Sequence, residues 1–268
     1  MLVVDRHSIK NNTKIIYIAS YLTNDRDLHK NVQLSPNQYD YIRNYSSSIH
    51  KNNLSSIIFV DHDTVFENDD NIIFYKVHQY TINVLKHILL HDKRFAYYYD
   101  VINKIDDDDD NKFYVLTDLS DVIILNPLET IMSLNNHTIY IGSENDMIDN
   151  NKWFGDFMRD MYWICEYGII QDDMMNNLFD NKRLLNCGII AGSKMIMLNF
   201  LSYMLKLMHR LYSIYYSKHR NNIIRPLDMF LVNYVAYKYF SQNIYSGNSL
   251  NTRFGHYEYD MSKAIKHK

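Results

Sequence analysis

Residues Phe113 to Pro127 read FYVLTDLSDVIILNP, and their pattern decides the fold. Phe113 to Thr117 is a short, continuous apolar run of the kind required by a strand buried on both faces. Asp118 ends the run, Asp121 follows three residues later, and a second apolar run begins at Val122. In open α/β sheets, ligands bind beyond the carboxyl ends of the strands. Two carboxylates at such an exit suit a hard cation such as Mn²⁺ or Mg²⁺. A metal there can bridge two phosphates and stabilise a departing diphosphate as a Lewis acid. The alternative is a polar strand-to-turn exit whose aspartates cap backbone N–H groups.

Strand and helix patterns alternate on both sides of this stretch, which predicts a mostly parallel central sheet with helices on both faces. Ile15 to Tyr21 (IIYIASY) is the first buried strand. Ser35-Pro36 has the form of an N-cap and first-turn proline, ahead of Tyr39, Ile42, Tyr45 and Ile49 at helical spacing. Strands are expected at Ser56 to Val60, Ile72 to Tyr75, Thr138 to Gly142 and Leu184 to Ala191. Helices are expected at Val77 to Leu90, Arg94 to Ile105, Met195 to Tyr216 and Leu227 to Phe240. Asp106 to Asp110 is five adjacent carboxylates, a solvated loop rather than a calcium site, which needs spaced ligands. No linker or internal repeat interrupts the series, so residues 1–268 read as one domain.

Composition narrows the partners. The chain has 268 residues, a net charge of −3, 47% apolar and 22% charged residues. With no basic stripe interleaved with aromatics, nucleic acid is not an expected partner. Tyr, Ile, Asn, Lys and Asp abound while glycine is scarce, at seven in the chain, the slant an AT-rich genome imposes. Cys165 and Cys187 are too few for a disulfide scaffold and read as reduced, buried thiols. The start, MLVVDRHSIKNN, lacks the features of a signal peptide. The most apolar stretch, Ile189 to Met208, is broken by Lys194 and Asn199, so no membrane span is expected. A soluble, cytoplasmic protein follows from that reading.

Thr117-Asp118-Leu119-Ser120-Asp121-Val122 with Asn126-Pro127 resembles the acidic motif of GT-A superfamily glycosyltransferases. The likeness is to the galactosyltransferase-like branch, which writes it T-D-x-x-D-V followed by N-P. The aspartates stand one residue further apart than in the usual D-x-D. Two arrangements stay open: both carboxylates on the metal, or Asp121 alone with Asp118 nearer the ribose. His91-Asp92-Lys93-Arg94-Phe95 resembles the upstream n-D-x-R-F helix start, which places Arg94 near the donor diphosphate or sugar. Asn186-Cys187-Gly188-Ile189-Ile190-Ala191-Gly192 is similar to the N-[ASC]-G-[IV]-x-x-G strand, in which Gly188 and Gly192 let the backbone approach the donor and Asn186 binds its sugar hydroxyls. Asp228-Met229 with Asn233 resembles the following helix start, with the Asp228 carboxylate facing the reacting sugar. In Gly247 to Glu258 (GNSLNTRFGHYE), His256 is the candidate third metal ligand of a loop closing over the donor. The resemblance spans roughly residues 57 to 258. It implies a single GT-A (Rossmann-like) domain that uses Mn²⁺ or Mg²⁺ to move a sugar from a nucleoside-diphosphate sugar to a sugar, peptide or lipid acceptor. The structural alternatives are an ordinary ion pair for Arg94, helix packing for the glycines and a first-turn charge for Asp228.

Two other classes compete. Ile57 to Phe66 (IIFVDHDTVF) resembles the first motif of haloacid-dehalogenase-like, magnesium-dependent phosphohydrolases, with Asp61 as nucleophile and Asp63 as general acid. No later G-D-x-x-x-D metal element accompanies it. A non-catalytic sugar- or nucleotide-binding relative is the other. Trp153 and Trp163 flank the segment where an acceptor would lie, and an aromatic face can stack on a sugar, although aromatics at helical spacing more often serve the core. An inverting reaction needs a carboxylate base; Asp228 and Asp173 are both conceivable, and the sequence does not choose.

Overall fold

The computed structural model describes residues 14–24, 26–27, 32–61, 63–77, 88–105, 112–161, 177–218, 225–252 and 259–267. The strands in chain order are β1 (Ile15–Tyr21), β2 (Arg26–Asp27), β3 (Val32–Gln33), β4 (Ser55–Val60), β5 (Ile72–Lys76), β6 (Phe113–Thr117), β7 (Val122–Ile124), β8 (Ile139–Met147), β9 (Arg183–Ser193), β10 (Ile244–Tyr245) and β11 (Ile265–His267). The helices are α1 (Tyr39–Lys51), α2 (Leu90–Lys104), α3 (Leu128–Ile131), α4 (Lys152–Asp160), α5 (Lys194–Lys218) and α6 (Asp228–Tyr239).

A seven-stranded sheet runs β10-β8-β9-β6-β1-β4-β5. β1 pairs in parallel with β4 and β6, β4 with β5, and β8 with β10. β9 is antiparallel to both β6 and β8. The expected mostly parallel α/β architecture is therefore present, with one inverted strand near its middle.

Two buried layers explain why the strands are apolar on both faces. Ile16 and Ile18 of β1 pack with Phe95, Tyr98 and Ile102 of α2 and with side chains of α5 and α6. Tyr17, Ala19 and Tyr21 point the other way, onto Ile42, Tyr45 and Ile49 of α1 and the β7–β11 ribbon. Successive strand residues face opposite sides, so a run such as IIYIASY serves both cores at once.

Several element starts differ from the sequence reading. The first helix begins at Tyr39 rather than after Ser35, with Gln38 at the cap position and no side-chain cap. Asn37 takes a positive φ of 65°, and the Tyr21 hydroxyl donates to the Ser35 carbonyl at 2.5 Å, so Ser35-Pro36 belongs to a turn. α2 starts four residues before Arg94, at Leu90. β8 and β9 are longer than expected, and β7, β11 and α4 were not foreseen as elements. Most of the expected Val77 to Leu90 helix and the Asp106 to Asp110 run lie outside the described residues. Among the described residues no helix is long and apolar enough to cross a membrane. The apolar stretch Ile189 to Met208 is divided between the end of β9 and the start of α5.

Candidate functional site

The inverted β9 sets the geometry. Because it runs against β6, its early residues lie beside the carboxyl end of β6, with Thr117 opposite Ile189. The Asp118 backbone N–H donates to the Gly188 carbonyl at 2.9 Å. β8 is parallel to β6 through β9, so its late residues, Glu144 and Asp146, reach the same edge. α2 and α6 open there too: buried Asp92 accepts from the Leu227 N–H at 3.0 Å and from the Tyr212 hydroxyl at 2.6 Å, tying the two helix starts together. Burial and the charge of Asp228 push the Asp92 carboxyl up to about 7.

These elements enclose a cavity of about 590 Å³. Arg94, Asp118, Asp121, Asn186, Gly188 and Asp228 all line it, so six of the candidate residues converge although they are spread from position 94 to 228. His91, Glu144, Trp153 and His267 line it as well.

Arg94 is the hub of the charge network. Its guanidinium pairs with Asp118 and, at 3.2 Å, with Asp228. Cys187 sits against both, its thiol 3.2 Å from the Asp228 carboxylate. Burial and that carboxylate push the thiol well up, so it stays protonated. Cys187 is half-buried rather than fully buried, and Cys165 lies outside the described residues. Against the cost of burial, Arg94 and His267 hold Asp118 well below the usual carboxylate range.

Asp118, Asp121 and His267 present ligand atoms that all lie within 4.8 Å of one another. The imidazole Nε2 faces Asp118 Oδ2 at 3.4 Å, and Nδ1 lies 2.9 Å from the Asn186 side-chain nitrogen. Burial opposes charging of this ring, yet the Asp118 carboxylate raises its pKa. Two carboxylates and one imidazole form a donor set for a first-row divalent ion. Ligands around such an ion are at most about 4.4 Å apart, so only a slight contraction is needed. The backbone is shaped for this cluster. A Cβ on Gly188 would stand 2.5 Å from Asp118 Oδ2 and 2.6 Å from His267 Cε1. The residues present fit a divalent cation.

His267 arrives by a short ribbon. β11 pairs antiparallel with β7, with His267 opposite Val122, next to Asp121. Asn126 fastens this ribbon: its side-chain nitrogen donates to the carbonyls of Met261 and Lys263, each at 2.9 Å. The Asn-Pro pair of the acidic motif is therefore structural, and it serves the imidazole rather than the carboxylates directly.

Three of the candidate residues need separate comment. Asn186 lines the cavity but is buried, and its amide is held within the protein by Glu144, His267 and the Gly188 N–H. Gly192 pairs with Tyr114, nearer the other end of β6, where a Cβ would meet Ile196 Cγ2 at 2.5 Å; its smallness serves the packing of α5, and it is not part of the cavity. His256 lies outside the described residues, as do Trp163 and Asp173; the imidazole found beside the aspartates is His267. No sequence pattern singled out His267, which sits in a four-residue apolar and basic stretch without a motif.

Asp61 is elsewhere. It is buried at the end of β4, where it accepts from the Thr23 and Asn24 N–H groups and from the Thr23 and Thr64 hydroxyls. Both oxygens are engaged in clamping the loop after β1, and the residue does not line the cavity. The phosphohydrolase alternative is not favoured by this arrangement.

No protein-family model matches the chain, and no curated protein matches it in sequence. Solved structures do. The chain is similar to the galactosyltransferase LgtC in complex with donor and acceptor sugar analogues, at 11% identity and a TM-score of 0.49, over 94% of this chain and 86% of that one. It is also similar to the bifunctional glycosyltransferase WbbM, at 11% identity and a TM-score of 0.52, over 96% of this chain and 46% of that one. The chain thus spans about half the length of WbbM. The likeness to WbbM is one of fold, and it agrees with the mostly parallel α/β architecture expected from the sequence.

Proposed function

We propose that this protein is a metal-dependent glycosyltransferase that moves a sugar from a nucleoside-diphosphate sugar to a hydroxyl of a sugar, peptide or lipid acceptor. The observation that supports it best is the meeting of Asp118, Asp121 and His267 at the carboxyl end of β6, inside a large cavity of a GT-A fold. Those three residues would hold Mn²⁺ or Mg²⁺, which would stabilise the diphosphate leaving group as a Lewis acid.

The chain's own groups divide the remaining work. Arg94 brings a permanent positive charge to the cavity wall, and its ion pairs with Asp118 and Asp228 hold it there without a search through rotamers. Asp228, fixed by Arg94 and Cys187, is a positioning residue for that guanidinium. The Asn186 amide N–H donates to the far nitrogen of His267 and so fixes the plane of the ring. Gly188 keeps the cluster free of side-chain bulk.

The test is nucleoside-diphosphate release from a panel of nucleotide-sugars with Mn²⁺. Release should require metal, stop in chelator and be abolished by Asp121→Asn, while phosphomonoesters yield no inorganic phosphate. Nucleotide affinity equal with and without metal, measured by calorimetry, would sink the proposal.

A further inference from the structure

One wall of the cavity differs in chemistry from the metal cluster. Trp153, in the first turn of α4, lines the cavity yet is 47% exposed. Its indole lies nearly parallel to buried Phe157, with ring centres 5.9 Å apart and an 18° tilt. The ring is thus fixed in orientation while a broad apolar surface stays open. Glu144 and Asp146 of β8 line the same cavity. Glu144 gives one oxygen to the Asn186 amide, and Asp146 gives one to the Asn151 amide at 3.1 Å. Neither second oxygen has a hydrogen-bond partner among the described residues. Asn151 in turn caps α4, accepting from the Phe154 N–H at 2.9 Å, which ties the carboxylate of Asp146 to the helix that carries the indole.

An aromatic face sharing a cavity with two carboxylates that each keep one oxygen unused suits a ring with C–H groups on its face and hydroxyls on its rim. The charge balance says which ring. Among the described lining residues, Arg94 is the one guanidinium or ammonium, and it is paired with Asp118 and Asp228. Among the described lining residues no other lysine or arginine is present to receive an anion, and Glu144 and Asp146 would repel one.

Resting on the transferase reading, we infer that the acceptor is an uncharged saccharide that stacks on Trp153 and donates hydroxyl hydrogens to Glu144 and Asp146, and that this wall rejects acidic sugars. The experiment uses the full chain with Mn²⁺ and a panel of nucleotide-sugars, with methyl glycosides of neutral hexoses and of the matching uronic acids as acceptors. Glycosylated product and nucleoside-diphosphate release are both measured. A neutral glycoside should be the best acceptor, with its uronide, a carboxylate in place of CH₂OH, lower by about tenfold or more in kcat/KM. Trp153→Ala should raise the acceptor KM about tenfold, while Trp153→Phe, which keeps a stacking face, stays within about threefold. The inference is overturned by uronides used as well as neutral sugars, by an unchanged acceptor KM in Trp153→Ala, or by donor hydrolysis that no saccharide diverts into product. Absence of metal-dependent diphosphate release from every nucleotide-sugar would instead overturn the transferase reading itself.

Discussion

Gly188→Ala adds a single methyl group, yet the structure puts that methyl between two candidate metal ligands. The new Cβ would lie 2.5 Å from Asp118 Oδ2, 2.9 Å from Asp118 Cγ and 2.6 Å from His267 Cε1. Ordinary contact needs about 3.5 Å, so each group must retreat by nearly 1 Å. Neither can do so easily: Asp118 is tied to Arg94 and through its backbone to Gly188. His267 is held by Asn186 and by the Thr252 hydroxyl, which accepts from its backbone N–H at 3.2 Å. Overpacking of this kind costs about 1–3 kcal/mol of stability. A metal site tolerates shifts of only about 0.2 Å, so Mn²⁺ affinity should fall by about 10–100-fold, the scale of outer-partner mutations. Isothermal calorimetry with Mn²⁺ reads the affinity and thermal unfolding reads the stability. Two other glycines separate the effects. Gly192→Ala meets Ile196 instead and should lose stability while leaving Mn²⁺ affinity alone, whereas Gly155→Ala has nothing within 4 Å and should gain up to about 1 kcal/mol as a helix residue. Mn²⁺ affinity in Gly188→Ala within about twofold of the unaltered protein would refute the placement of the ion.

Three more outcomes are expected. His267 holds its proton above its ordinary range because Asp118 faces it, and a cation must displace that proton. Mn²⁺ affinity should therefore climb about tenfold per pH unit up to and beyond about pH 6.5, then level off; a flat profile between pH 5.5 and 8 would exclude the imidazole as ligand. Asp92 has a folded pKa raised to about 7, so it binds more protons folded than unfolded. Its contribution is full below about pH 4 and is lost as pH rises towards 7, on the order of a few kcal/mol. Asp92→Asn should flatten that fall in urea midpoints, and an unchanged pH slope would contradict it. Asp61→Ala should cost about 3–5 kcal/mol by orphaning buried donors, seen as a drop in thermal midpoint, whereas a nucleophile's role would show as loss of phosphomonoester hydrolysis with the midpoint intact.

The parts of the molecule legible from sequence are those where local pattern and tertiary role coincide. Phe113 to Thr117 is buried on both faces, so its apolar run and its abrupt end at Asp118 were readable directly. Gly188 stood out because glycine is rare in this chain and its place is dictated by a close approach. Gly192 looked equivalent but answers to the Ile196 side chain in the next element, a contact that no local pattern reveals. The Asn186 amide was assigned outward because its neighbours Glu144 and His267 come from strands far away in the chain. His267 escaped because a three-residue strand has too few positions to show a period, and its value comes wholly from pairing with β7.

That pairing has a consequence of parity. Side chains alternate along a strand, so a slip of one residue exchanges the two faces. In the present frame His267 meets the aspartates, while the Lys266 ammonium lies over the Tyr259 ring at 3.4 Å. The sequence around it is Lys266-His267-Lys268. One inserted residue after Lys263 would carry Lys266 into the imidazole's slot, and one deleted residue would carry Lys268 there. Either frame sets an ammonium against the two carboxylates, a counter-ion that satisfies their charge yet offers no lone pair to a cation. The ribbon would still close, and the cavity would still look electrostatically complete, with the ion's place taken by the protein itself. Asn126, gripping the carbonyls of Met261 and Lys263, is the catch that keeps the ladder in the frame where the ligand is histidine.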